Sequence, residues 1–376
     1  MNRYTGAWTG MRKCVNKRRV HFMTKYTRVG ASSRYRTFQY LSALQEAGFE
    51  CVVSPLFDDA YLAYKYAKGS ASALHVLVAL SRRLLAVSRV PRGAVVVIEY
   101  ELLPYFPTLL ERWLAWRGCR LVMDYDDAMF HQYDQNASPV VRLLLGSKIA
   151  TVMRLADTVV VGNAYLADYA LRAEARRVKL IPTVIDLVLY PATPPEPFTS
   201  VFTIGWIGSP STSKYLNEIA PALAEVCEGG QACLRLIGAG LIDFPGVPVE
   251  VLPWSEETEV EELLRVDVGI MPLPDEPWAH GKCGFKLIQY MACGLPVVAS
   301  PVGINEEIVE HGVNGFLAKD HDQWVQALRT LLDDKKLRLS MGAIGRQRVE
   351  SRYCLQVTTQ KLMDLVEGVV VGEGGN

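Results

Sequence analysis

At 376 residues the chain is longer than a single hydrophobic core usually fills, so two domains are expected. Half of it is hydrophobic, 21% is charged and the formal net charge is zero, which excludes a disordered chain and an electrostatic grip on nucleic acid. The eight cysteines (Cys14, Cys51, Cys119, Cys227, Cys233, Cys283, Cys293 and Cys354) form no Cys-x-x-Cys pair and have no histidine at metal-ligand spacing, so they read as reduced thiols.

No uninterrupted apolar run reaches the roughly 18 residues that cross a bilayer. Residues 71–87 come nearest and are broken by Arg82 and Arg83. No signal peptide is evident, which makes the cytoplasm the expected location. Ten basic residues from Arg3 to Arg36 precede the first acid, Glu46. Such a start suits anionic lipid or a phosphorylated substrate, or is a tail upstream of a true start at Met11; residues 1–19 read as flexible.

Short β-branched runs at residues 20–24, 51–54, 94–99, 120–124 and 158–161 read as buried strands, with helical periodicity at 32–47 and 138–156 between them. This alternation predicts a parallel sheet covered by helices. The segment Tyr190-Pro-Ala-Thr-Pro-Pro-Glu-Pro suits neither helix nor strand, and places a linker at 191–200. Beyond it, strands are expected at 201–207, 233–237, 249–252, 268–271 and 296–299, with helices at 211–227, 255–266 and 285–293. The chain is therefore α/β, with two Rossmann-like doubly wound domains, 1–190 and 201–376, facing a cleft at their strand carboxyl ends.

The chemistry concentrates after the strand at 268–271. A loop rich in proline and glycine leads through Gly281-Lys-Cys-Gly-Phe-Lys286 into a helix, whose free N–H groups would face the cleft. Lys282 and Lys286 lie four apart around that helix start, where a diphosphate would meet the helix dipole and two ammonium groups. Gln289, about one turn on, is placed to reach a ribose or sugar hydroxyl. The plainer reading is a solvated lysine pair on a surface helix.

The run continues into Met291-Ala-Cys-Gly-Leu-Pro-Val-Val298, Pro301-Val-Gly-Ile-Asn-Glu-Glu-Ile-Val and His311-Gly-Val-Asn-Gly-Phe316. It resembles the donor-binding segment of glycosyltransferase family 4, across essentially the whole second domain and more weakly across the first. The resemblance implies the GT-B fold and a retaining, metal-independent transfer of a sugar from a UDP- or GDP-sugar. The acceptor would be a glycan or lipid-linked molecule in cell-surface polysaccharide or glycoconjugate synthesis. No cofactor is implied, the nucleotide sugar being a co-substrate, and peripheral contact with the inner membrane leaflet stays open. The family commonly carries two glutamates separated by seven residues, the second bonding the nucleotide ribose. Those positions here read Gly281 and Gln289, which points to a subgroup with altered donor contacts.

The resemblance assigns further positions. Gly208 and Lys214 fall in the loop after the first strand of the second domain, near the donor phosphate. Trp254 falls where the family holds the nucleobase, and reads equally as core. In the first domain, Gly30 lies in the glycine loop that touches donor phosphate or acceptor. Arg34 and Arg36 are two apart and cannot share a helix face, so one is expected in the cleft, Arg34, and one outside. Asp127 and His131, after the strand at 120–124, read as catalytic or sugar contacts beside Lys286, or as a helix cap and a surface histidine. Glu99-Tyr-Glu101 is a second acidic candidate, with Glu101 on the acceptor. Two other readings compete: a sugar-nucleotide epimerase on the same fold, and a nucleotide-sugar-binding partner subunit with little activity.

Overall fold

The computed structural model describes residues 18–191, 201–242 and 244–371. The basic segment to Lys17, with Met11 and Cys14, and the linker from residue 192 to 200 lie outside the described residues. The first sheet is built from β1 (Arg18–Met23), β2 (Phe49–Val53), β3 (Val95–Glu99), β4 (Arg120–Tyr125), β5 (Thr158–Val161) and β6 (Val178–Leu180). Its order is β2-β1-β3-β4-β5-β6, every pair parallel. Arg18 and Arg19, the last two residues of the stretch expected to be flexible, belong to β1.

The second sheet contains β7 (Phe202–Ile207), β8 (Ala232–Ile237), β9 (Val249–Leu252), β10 (Val268–Met271), β11 (Val297–Ala299) and β12 (Gly315–Leu317). These too are all parallel, in the order β12-β11-β10-β7-β8-β9. Both sheets are buried on two faces by helices, which is why their strands read as continuous apolar runs rather than as alternations. β6 and β12 had no such signal: each is three residues long, and β6 carries exposed Lys179 in its middle.

Several expected helices are interrupted. The stretch 32–47 divides at Thr37, which leaves helical geometry between Ala31–Arg36 and a tight turn, and resumes as Leu41–Glu46. The stretch 138–156 divides at Gly146 and Ser147 into Pro139–Leu145 and Lys148–Leu155. The helix expected at 255–266 contracts to Glu259–Leu263.

The end of the chain returns to the first domain. Helix Lys335–Arg352 packs on helix Phe285–Ala292, and then helix Leu355–Val371 crosses over. The Tyr40 and Thr358 hydroxyls lie 2.9 Å apart, Arg18 pairs with Glu367 at 3.0 Å, and Arg120 donates to the Val369 carbonyl. Leu362, Leu365 and Val366 face Phe22, Val122 and Val160 across a small cavity. Residues 355–371 therefore pack with the first sheet, although the sequence pattern groups them with the second. At the crossover Ile185 and Cys354 form an isolated parallel bridge, with Leu355 N donating to Ile185 O at 2.8 Å.

Close packing in these helices makes opposite predictions for two glycines. A Cβ built on Gly342 would lie 1.8 Å from the Gly294 carbonyl oxygen, whereas one on Gly368 meets nothing within 4 Å. Gly342→Ala is expected to lower the thermal midpoint, because overpacking costs about 1–3 kcal/mol and outweighs the roughly 1 kcal/mol of helix propensity gained. Gly368→Ala is expected to raise stability by about 0.5–1 kcal/mol, read by chemical denaturation.

Candidate active site

Counted within its own domain, the second sheet has the order 3-2-1-4-5-6, so the direction of winding reverses between β7 and β10. Ligands of such sheets bind outside the strand carboxyl ends at that reversal. Helix Phe285–Ala292 stands there because Tyr290 holds it. Its hydroxyl accepts from Ile207 N at 3.1 Å, at the end of β7, and donates to Ile270 O at 3.2 Å in β10. The ring fits because Gly269 has no side chain: a Cβ there would lie 2.1 Å from Tyr290 Cγ.

The same helix brings Lys286 beside Gly208. A Cβ on Gly208 would fall 2.4 Å from the Trp206 ring, which excludes one there, and 3.0 Å from Lys286 Cε, which shows how near the lysine approaches the loop after β7. The Lys286 ammonium lies 5.2 Å from the Trp206 ring centroid. Burial lowers its pKa to about 8, with Lys282 adding to the effect and Asp127 opposing it. No side chain caps the helix, whose N-cap Gly284 has a left-handed φ of 65°. A half-buried ammonium beside an uncapped helix start is suited to an anion.

The loop before this helix is docked on the first domain. Lys282 pairs with Asp127 across the cleft at 2.8 Å. Burial works against the Lys282 charge, yet Asp127 beside it leaves the pKa raised. Cys283 donates to Asp126 O, and Asn163 donates to the Lys282 carbonyl at 2.9 Å and the His280 carbonyl at 3.3 Å. At Gly281 a Cβ would lie 2.4 Å from that of Ala128, so this position has no room for a side chain in this arrangement of the domains.

On the first-domain side, the winding reverses between β1 and β3. Glu99, buried at the end of β3, accepts from Ser32 Oγ at 2.7 Å, Ser33 Oγ at 2.5 Å and Lys25 N at 2.9 Å, which fixes the loop after β1. Gly30 closes that loop against Tyr26, whose Cβ would be 2.4 Å from a Cβ there. Tyr100 follows with φ 62°, an uncommon geometry for a tyrosine, and its hydroxyl binds Asp126. Burial first, and then Asp127, raise the Asp126 carboxyl pKa. Lys25, with its ammonium 4.9 Å from the Tyr100 ring centroid, and Asp126 were not singled out from the sequence. The paired serines before a strand-end glutamate were the available signal; the backbone of Tyr100 left none.

The structure thus brings Lys282, Lys286, Gly208 and Asp127 together and puts other candidates elsewhere. His131 is committed on both ring nitrogens, to Asp134 at 2.9 Å and to the Tyr165 hydroxyl at 2.8 Å. Glu101 is buried against the Lys148 ammonium and the Tyr133 hydroxyl, an internal pair rather than an open acceptor contact. Gln289 is buried, and the hydroxyl near its amide belongs to Tyr190, at 3.4 Å. Arg34 is buried between the domains, 3.6 Å from Glu256 and 3.7 Å from Glu259, and lies over the Trp254 ring at 4.7 Å. Trp254 itself donates to Glu259 at 2.8 Å. Arg36 is not outside, as its spacing from Arg34 suggested: the two do point apart, but the helix lies between the domains, so Arg34 is buried against Glu256 and Glu259 of the second and Arg36 against Asp124 and the Ile181 carbonyl of the first. Lys214 is exposed, its ammonium 5.2 Å from the Tyr215 ring centroid.

Comparison with known proteins bears on the fold and on the sequence pattern of the second domain. Residues 201–334 match the family model described as "Glycosyl transferases group 1". The chain is 27% identical over 151 residues to N-acetyl-alpha-D-glucosaminyl L-malate synthase from Bacillus anthracis, a match covering 37% of this chain and 38% of that protein. It thus spans well under half the length of the curated relatives it matches. Among solved structures it superposes on sucrose-phosphate synthase from Thermosynechococcus elongatus with a TM-score of 0.69 at 17% identity, covering 94% of this chain and 100% of that one. Anabaena HepE in complex with UDP and glucose gives a TM-score of 0.67 at 16% identity, over 93% and 99% of the respective chains. By fold the chain is a two-domain GT-B protein, and its residues 201–334 carry the sequence pattern of the group 1 glycosyl transferases.

Proposed function

We propose that the chain is a glycosyltransferase that moves a sugar from a nucleoside-diphosphate donor to a glycan or lipid-linked acceptor, with retention of anomeric configuration and without a metal. The observation that carries this reading is Lys286, half-buried beside Gly208 with no carboxylate of its own, in a segment that matches the group 1 family model. UDP is the first nucleotide to test, because HepE, of the same fold, holds UDP and glucose.

In the reaction the bond between the sugar C1 and the diphosphate oxygen breaks, its electron pair going to that oxygen. The acceptor oxygen bonds to C1 on the same face and gives its proton to the departing phosphate. The developing charge on the diphosphate is met by Lys286, by the helix start and by Lys282 once it exchanges Asp127 for phosphate. Asp127, released from Lys282, then becomes available to sugar hydroxyls. His131 acts at one remove, holding the Tyr165 ring stacked on His280 at 5.6 Å in the docked loop. The partner-subunit reading draws on the pair Lys282–Asp127, which occupies the site without a donor, and predicts binding without turnover.

Release of nucleoside diphosphate across UDP-, GDP- and ADP-sugars is the direct test. One donor should be cleaved, and Lys286→Ala should weaken its binding by about tenfold to a hundredfold, the value of a charge-assisted contact of roughly 1.5–3 kcal/mol. Tight binding with no release from any donor supports the partner subunit, and no binding removes the donor site. The Lys286 ammonium keeps its charge below about pH 8 and loses it above. Nucleotide affinity measured by calorimetry should therefore fall as pH rises through that value, and the fall should be absent in Lys286→Ala. Gly281→Glu restores the family's residue yet collides with Ala128; it should enlarge the radius of gyration in small-angle scattering and should not raise turnover.

A further inference from the structure

The loop after β1 carries an ammonium group that meets no carboxylate. Lys25 leaves the carboxyl end of β1 with its backbone fixed on both sides: its N–H donates to Glu99 at 2.9 Å, and its carbonyl accepts from Phe57 N at 3.0 Å. Its half-buried ammonium lies 4.9 Å from the Tyr100 ring centroid and 5.6 Å from that of Tyr26. The one acceptor that ammonium meets among the described residues is the Met129 thioether, at 4.0 Å. A thioether accepts weakly, so three N–H donors stay nearly unused. A second ammonium approaches from helix Asp59–Lys68. Phe57 stacks on Tyr61 with ring centroids 4.0 Å apart and lies 6.0 Å from Tyr26, so this helix packs on the loop that carries Lys25. Lys65, also half-buried, is four residues after Tyr61 and therefore on the same face. Burial first, and then the Lys25 charge, lower the Lys65 pKa.

The neighbouring acids are engaged elsewhere. Glu99 accepts from Ser32, Ser33 and the Lys25 backbone, Asp58 is paired with Arg82 at 2.6 Å, and Asp59 binds the Thr27 hydroxyl. Behind the loop Arg83, 2% exposed, donates to the Thr24 carbonyl and leaves Nε and Nη1 without a partner. Its charge is offset by Glu99 and Glu111, which leaves Lys25 and Lys65 over. We propose that Lys25 and Lys65 form an anion subsite in the first domain that takes a phosphate group. Two ammonium groups without acids match one phosphate dianion in charge, and its oxygens can accept from both at once. Lys25, Tyr100 and Met129 follow the ends of β1, β3 and β4, so the subsite opens on the cleft, on the wall opposite Lys286. Its meaning rests on the glycosyl-transfer reading: the phosphate belongs to the acceptor, as a sugar phosphate or as the diphosphate of a lipid carrier.

The test is calorimetry on the full chain with three probes: inorganic phosphate, glucose 6-phosphate and geranyl diphosphate. The background is Lys286→Ala, which weakens the donor site's own hold on phosphate, and there at least one probe should still bind. Adding Lys65→Ala should weaken that binding about tenfold or more, and adding Lys25→Ala should do the same. Lys65→Arg should keep most of it, and unchanged thermal midpoints will show that the variants fold. Tighter binding of glucose 6-phosphate supports the subsite with a soluble acceptor, and tighter binding of geranyl diphosphate supports it with a lipid-linked one. Equal binding with and without Lys25 and Lys65 overturns the proposal, as does failure of all three probes to bind. Failure of UDP to bind the parent removes the donor site instead, and these titrations still decide the subsite.

Discussion

The Tyr290 hydroxyl is the contact on which the second domain's site depends. It joins the carboxyl ends of β7 and β10, the two strands between which the sheet changes direction, and so fixes both where the helix begins and which way its first turn points. Lys286 lies one turn before Tyr290, so the position of its ammonium follows from that anchor. Gly269 is part of the same constraint, because any side chain there would displace the ring. The place of the Lys286 ammonium is thus set by a tyrosine and a glycine behind it.

The cleft is an interface as well as a site. Arg34 with Glu256 and Glu259, Lys282 with Asp127, and Asn163 with two carbonyls of the donor-side loop place charged or polar contacts along it. Such contacts are individually modest when water can replace them, and groups that pair across a cleft can also pair with a substrate. Lys282 illustrates this: the carboxylate that keeps it charged in the closed arrangement is the one a diphosphate would displace. At Gly281 the steric limit is set by the opposite domain, through Ala128, rather than by local backbone.

Most strands were legible because burial on both faces leaves a continuous β-branched run, as in Thr158–Val161 and Val268–Met271. β6 and β12 were not, since three residues at a sheet edge carry too little pattern. The breaks at Thr37 and Gly146 depend on what the flanking turns pack against, which periodicity does not encode. At the site, Lys282 and Lys286 were readable because a helix start after a strand is a local feature. The contacts of Glu101, Gln289 and His131 with Lys148, Tyr190 and Tyr165 were not legible because those partners are distant in sequence. Arg36 shows the limit of face-counting: the spacing correctly separates the two arginines, but it does not tell that the second face is covered by the first domain's own sheet.

The return of helix Leu355–Val371 to the first domain means that the chain passes between the domains twice, and the bridge between Ile185 and Cys354 sets the first-domain exit and the return side by side. The Ile185–Cys354 bridge and the Leu355-to-Ile185 hydrogen bond hold exit and return at one place, and a rotation about that place would strain the chain least. A rotation of that kind would part Lys282 from Asp127 and return them to the same pairing.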